Sequence, residues 1–145
     1  MNDSNFYKKY RHVGYSYPSV PKGWKPIVKN AIVEIEKEMW PRWIPFFIKK
    51  AIHYLATGNS VVQIKYQWAY KLRSKLTDSC MISDIKEKYA TLRIYTYGNE
   101  KINAIIEMAE NLCDTTCMEC GSMTDVEVVN SRWVSILCKK CKNKK

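Results

Sequence analysis

Four cysteines near the end of the chain carry its clearest chemistry. The stretch "CMECGSMTDVEVVNSRWVSILCKKC" holds two Cys-x-x-Cys pairs, Cys117/Cys120 and Cys138/Cys141, with seventeen residues between them. Each such turn aims two sulfurs and nearby backbone amides at one point, and two turns together complete a tetrahedron around Zn²⁺ at about 2.3 Å from each sulfur. Four thiolates fill that tetrahedron, so no position stays open for water or substrate and the expected role is structural. Metal binding then supplies folding energy to a segment too small to hold a core alone. Gly121 suits the tight turn after Cys120, and "DVEVV" and "WVSIL" read as two short ribbon strands. A redox pair is the competing use of Cys-x-x-Cys. Two matched pairs without a thioredoxin-like context argue against it. Cys113, at a predicted helix end, is a decoy ligand or, more simply, a buried thiol; Cys80 reads as a core thiol.

Other residues that could do chemistry do not form a constellation. The five glycines are scattered, so no phosphate loop is present, and there is no nucleophile elbow. His12 and His53 sit in unremarkable places, with His53 expected on a helix surface or packed. Glu34 and Glu38 lie four apart on one helix and read as a solvated face. Asp84, Glu87 and Arg93 on a predicted hairpin are the best polar cluster, and a surface ion pair explains them. The sequence therefore predicts a protein that is not an enzyme.

Charge points elsewhere. The formal net charge is +10, and one Zn²⁺ with four thiolates would lower it by only two. Such a surplus favours polyanionic or acidic partners. Residues 39–77 contain no acid but seven bases: Arg42, Lys49, Lys50, Lys65, Lys71, Arg73 and Lys75. The same stretch holds eight aromatics: Trp40, Trp43, Phe46, Phe47, Tyr54, Tyr66, Trp68 and Tyr70. Lysine and arginine neutralise phosphates, and exposed rings stack on unpaired bases. Arg42, Lys49, Lys50, Lys65, Trp68, Lys71, Arg73 and Lys75 are thus the candidate nucleic-acid or partner-binding residues. At least half of the eight aromatics are expected in the core. Lys71 and Lys75 share a helix face, with Arg73 on a different side.

The elements that must position these residues follow from periodicity. Residues 1–25, with Tyr7, Tyr10, Tyr15 and Tyr17, read as an irregular arm whose tyrosines pack on the domain surface. A helix is predicted over 26–39, with Val28, Ala31, Ile32, Ile35 and Met39 buried and Pro26 at its start. A second covers 44–58, burying Ile44, Phe47, Ile48, Ala51 and Leu55 and ending at Gly58. A third covers 59–76, with Val61, Ile64, Trp68, Leu72 and Leu76 in its stripe. Strands at 82–87 and 91–97 form a hairpin, with Leu92 and Ile94 facing one way and Arg93, Tyr95 and Tyr97 the other. A helix at 100–113 follows, with Ile102, Ile105, Ile106, Ala109 and Leu112 on one face. The fold class is α+β: a helical N-terminal part, a β-hairpin plus helix, and a C-terminal zinc ribbon. The expected organisation is an arm at 1–25, a core at 26–114, and a ribbon module with a basic tail at 115–145. No apolar run is long enough to span a membrane and the first residues lack a secretory pattern, so a cytoplasmic location is expected.

The order "GWKPIV", "IKEKYATLRIY", an apolar helix, "TCMECG" and "RWVSILC" resembles a family of small proteins common in bacteriophages and prophages. Its members carry a Lys-Glu-Lys-aromatic-Gly-x-Leu-Arg-aromatic-Tyr segment ahead of a C-terminal zinc knuckle. The likeness covers roughly residues 23–142; Ala90 stands where the family usually has Gly, and the basic aromatic insert around 40–77 is particular to this chain. The resemblance implies phage origin and a host-cytoplasm location and supplies no catalytic residues. Two functions are expected from these readings: a regulator that binds nucleic acid through a basic aromatic face, or an effector that docks on a host protein such as the transcription machinery or a defence complex. Capture of an anionic nucleotide is a third.

Overall fold

A computed structural model describes residues 3–14, 18–58 and 65–144. Among these, the protein is a mixed α and β structure of six α-helices and two antiparallel hairpins, with the cysteine cluster at its C-terminal end. No described helix is long and apolar enough to cross a membrane.

The N-terminal segment is not an irregular arm. Asp3–Lys9 forms helix α1, and Phe6 and Tyr7 enter the main core. Asp3 anchors it through ion pairs to Lys25 (2.8 Å) and Lys29 (2.6 Å). A 3₁₀ turn at Arg11–Val13 then buries His12 and Val13. Tyr15 and Tyr17 lie outside the described residues.

Helix α2 spans Lys25–Met39 and buries the predicted stripe, together with Glu36. Helix α3 spans Phe46–Thr57, but its buried side is not the predicted one. Ile44 is buried as expected just before the helix, whereas Phe47, Ile48 and Ala51 are exposed and Leu55 half-buried. Lys49, Ile52, His53 and Ala56 face inward instead. The helix is turned by one residue, about 100°. The buried Glu36 carboxylate explains the rotation: it needs a cation inside, and Lys49 Nζ donates to it at 2.7 Å.

Helix α4, Gln67–Leu76, packs against α3. The predicted start at 59 and the positions Val61 and Ile64 lie outside the described residues. Trp68 and Leu72 from the predicted stripe are exposed, and Ala69 and Arg73 are buried instead.

Strands β1 (Met81–Lys88) and β2 (Thr91–Tyr97) pair antiparallel, with Lys88 opposite Thr91. The period-2 reading of β2 holds: Leu92 and Ile94 are buried and Arg93, Tyr95 and Tyr97 exposed. The turn is made by Tyr89 and Ala90, both left-handed at φ 53° and 60°, the conformation that two-residue hairpins require. Helix α5, Glu100–Asp114, starts where the Asn99 side chain accepts from Ile102 N at 3.1 Å. It packs on α2 and β2 and buries Ile102, Ile106, Ala109 and Cys113. Strands β3 (Val126–Asn130) and β4 (Val134–Cys138) form the ribbon, and α6 is the single turn Lys139–Lys142.

Candidate metal centre and basic aromatic face

The first cysteine pair sits in the loop after α5 and the second at the end of β4 and in α6. Folding of the ribbon brings all four sulfurs within 4.8 Å of one another. The Cys120 and Cys138 sulfurs are 3.6 Å apart, close to the edge of about 3.8 Å expected of a tetrahedron with 2.3 Å metal–sulfur bonds. Gly121, at φ 78°, donates its amide to Cys117 O at 2.9 Å and closes the first knuckle. Burial opposes ionisation of Cys117, but backbone N–H groups of Cys120, Cys138 and Glu119 outweigh it and hold the thiol down at about 6. Cys141 is raised to about 12, first because its thiol is hydrogen-bonded to Cys120 and Cys138. One sulfur of the set is thus already favoured as thiolate. Four soft donors at tetrahedral spacing fit a single metal ion. Cys80 and Cys113 are buried and stand outside the cluster, and burial pushes the Cys113 thiol up to about 12.

The first knuckle is fixed to the core by a segment distant in sequence. Gly23 donates its amide to Met118 O at 2.8 Å, and Trp24, fully buried, donates Nε1–H to Thr116 O at 2.8 Å. A Cβ at position 23 would collide with the Cys117 carbonyl, Gly121 N and the Met118 backbone. On the ribbon side Ile136 joins the main core, and Leu137 packs with Cys117 and Cys138 in a small core of their own.

The structure divides the predicted binding residues. Arg42, Lys50, Lys65, Lys71 and Lys75 are exposed and form no ion pair among the described residues, and Trp68 is 55% exposed. Lys49 and Arg73 are not on that surface. Lys49 is committed to Glu36. Arg73 is buried, donating Nε–H to His53 Nδ1 (3.2 Å) and NH2 to Cys80 O (3.3 Å). The expectation that at least half of the eight aromatics are core fails as well. Trp40 is buried and Phe46 and Tyr66 are half-buried, whereas Trp43, Phe47, Tyr54, Trp68 and Tyr70 are all more than half exposed. They stand on α3, α4 and the turn before α3.

Asp84, Glu87 and Arg93 do not pair with one another: Asp84 pairs with Lys86 (2.5 Å), Arg93 with Glu110 (3.5 Å), and Glu87 accepts from Ala90 N (2.7 Å). Sequence reasoning missed a different grouping. Both histidines line one cleft of about 720 Å³, together with Lys8, Arg11, Lys50, Tyr54, Thr57 and Gly58. His12 Nε2 meets Glu36 Oε1 at 3.2 Å, and that carboxyl, despite the cost of burial, is kept below the usual range by His12 and Lys49. Burial foremost, then the Arg73 charge, drives His53 down to about 3 and keeps it neutral. No local spacing signals this cleft, because α1 and α3 contribute it from distant parts of the chain. Compared with protein-family models, with curated proteins and with solved structures, the chain matches none.

Proposed function

We propose that this is a small zinc-ribbon protein that binds single-stranded nucleic acid through the surface of α3 and α4 and acts as a regulator rather than an enzyme. The observation that carries the reading is the composition of residues 42–75: five exposed aromatic rings and five exposed cations that form no ion pair among the described residues. No acidic residue lies anywhere between residues 39 and 77. Rings of this kind stack on unpaired bases while the cations follow the phosphates. Zinc is the metal best suited to four thiolates, and with its coordination filled by protein it holds the ribbon in place. The resemblance of "IKEKYATLRIY" and the cysteine pairs to phage proteins supports a phage-type regulator working in a host cytoplasm.

The test is binding of a fluorescent single-stranded oligonucleotide by wild type and by Lys71→Ala/Lys75→Ala. Both lysines are exposed and four apart on α4, so the double variant folds normally. Losing two phosphate contacts is expected to weaken binding by roughly tenfold or more at low salt. Unchanged affinity in the double variant would place the contact elsewhere. If nuclease-treated host lysate instead yields one dominant protein partner and oligonucleotides do not bind, the same exposed aromatics serve a protein interface.

A further inference from the structure

We propose that the cleft between the N-terminal segment and α3 is a phosphate-binding site, built on His12 and His53 and charged by Lys8, Arg11 and Lys50. Three observations converge on it. The cleft is large enough for a nucleotide-sized ligand, at about 720 Å³, and no acidic residue lines it among the described residues. Its three cations are exposed and form no ion pair among the described residues. Beneath them His12 is fully buried, and its Nδ1 has no hydrogen-bond partner among the described residues. A buried polar atom without a partner is costly, and a ligand that supplies one removes that cost.

The charge of the lining favours an oxyanion. Glu36 is a carboxylate, so His12 Nε2 carries the hydrogen donated to it. Nδ1 is then an acceptor, so the attraction for phosphate comes from Lys8, Arg11 and Lys50, and a ligand oxygen meets Nδ1 only through a proton, as in the monoanionic form of a phosphate monoester. His53 Nδ1 accepts from Arg73, so the neutral ring keeps its hydrogen on Nε2 as a fixed donor. Arg73 holds the His53 ring directly, and Lys49 holds Glu36, which in turn meets the His12 ring. Tyr54, exposed at the cleft rim, offers a ring face to whatever the phosphate is attached to. The site shares only Lys50 and Tyr54 with the α3–α4 surface and stands whether or not that surface binds nucleic acid.

The phosphate could belong to a free nucleotide or to a nucleic-acid chain, and the ligands in the test separate these. Inorganic phosphate, adenosine 5′-monophosphate and an oligonucleotide without terminal phosphates are titrated by calorimetry. The same ligands are followed in long-range ¹H–¹⁵N spectra, where the two histidines of the chain give few signals. Saturable binding of the first two, with movement of the His12 Nδ1 resonance, is expected for a monoester site. Movement with the oligonucleotide alone assigns the site to backbone phosphate. Arg11→Ala, an exposed change, is expected to weaken whichever ligand binds by about tenfold, while Lys71→Ala/Lys75→Ala leaves phosphate and monophosphate binding unchanged. A His12 Nδ1 resonance that stays still under all three ligands, or binding that Arg11→Ala leaves intact, overturns the proposal.

Discussion

His53 and Ala90 show how single residues set measurable properties of this protein. His53 is held neutral, at about 3 against an ordinary 6.5. Between those values the unfolded chain takes up a proton that the folded chain refuses, so stability falls as pH drops from about 6.5 toward 3. The expected loss is of order a few kcal/mol. His53→Asn retains an acceptor for Arg73 and removes the titration. Its melting temperature is therefore expected to fall less steeply than that of wild type between pH 7 and pH 5, and equal slopes would contradict the assignment. Ala90 occupies a left-handed position at φ 60°, which costs a residue with a Cβ about 1 kcal/mol relative to glycine. Ala90→Gly is expected to raise stability by about that amount in chemical denaturation.

At the scale of elements, the reading from periodicity succeeded where burial is purely apolar. It placed α2, the hairpin and α5 because mostly apolar residues mark their inner faces, although Glu36 is buried on α2 and Leu112, expected inside on α5, is exposed. It failed on α3 and α4, whose inner faces are polar. Lys49 and Arg73 read as outward because a lysine or arginine on a helix is ordinarily solvated, and only the position of Glu36 and the carbonyl of Cys80 shows why they turn in. The cysteine pairs were legible because metal geometry constrains their spacing. The contact that seats them was not, since Gly23 and Trp24 lie far upstream. Gly23→Ala tests that contact. The added methyl meets backbone atoms on the knuckle and is expected to cost at least about 2 kcal/mol. The variant should still bind one zinc per chain but release it faster to a chelator. Wild-type release kinetics would show that the upstream segment does not brace the site.

For the whole molecule, the proposed division of labour is between a cysteine cluster that would hold a metal in the C-terminal ribbon and the basic aromatic residues of the middle of the chain. Charge blocks along the chain anticipated that surface, while its true membership needed the fold: Arg42, Lys50, Lys65, Lys71 and Lys75 remain, and Lys49 and Arg73 leave it. Five available cations bound the electrostatics. If each neutralises one phosphate of a single strand, the logarithm of the binding constant falls with the logarithm of salt at a slope of up to about −3.5. Measuring oligonucleotide affinity across a salt series tests the account most directly. It predicts a slope between about −2 and −3.5 for wild type, shallower by about 1.4 in Lys71→Ala/Lys75→Ala. Binding independent of salt, or no binding at low salt, would contradict it.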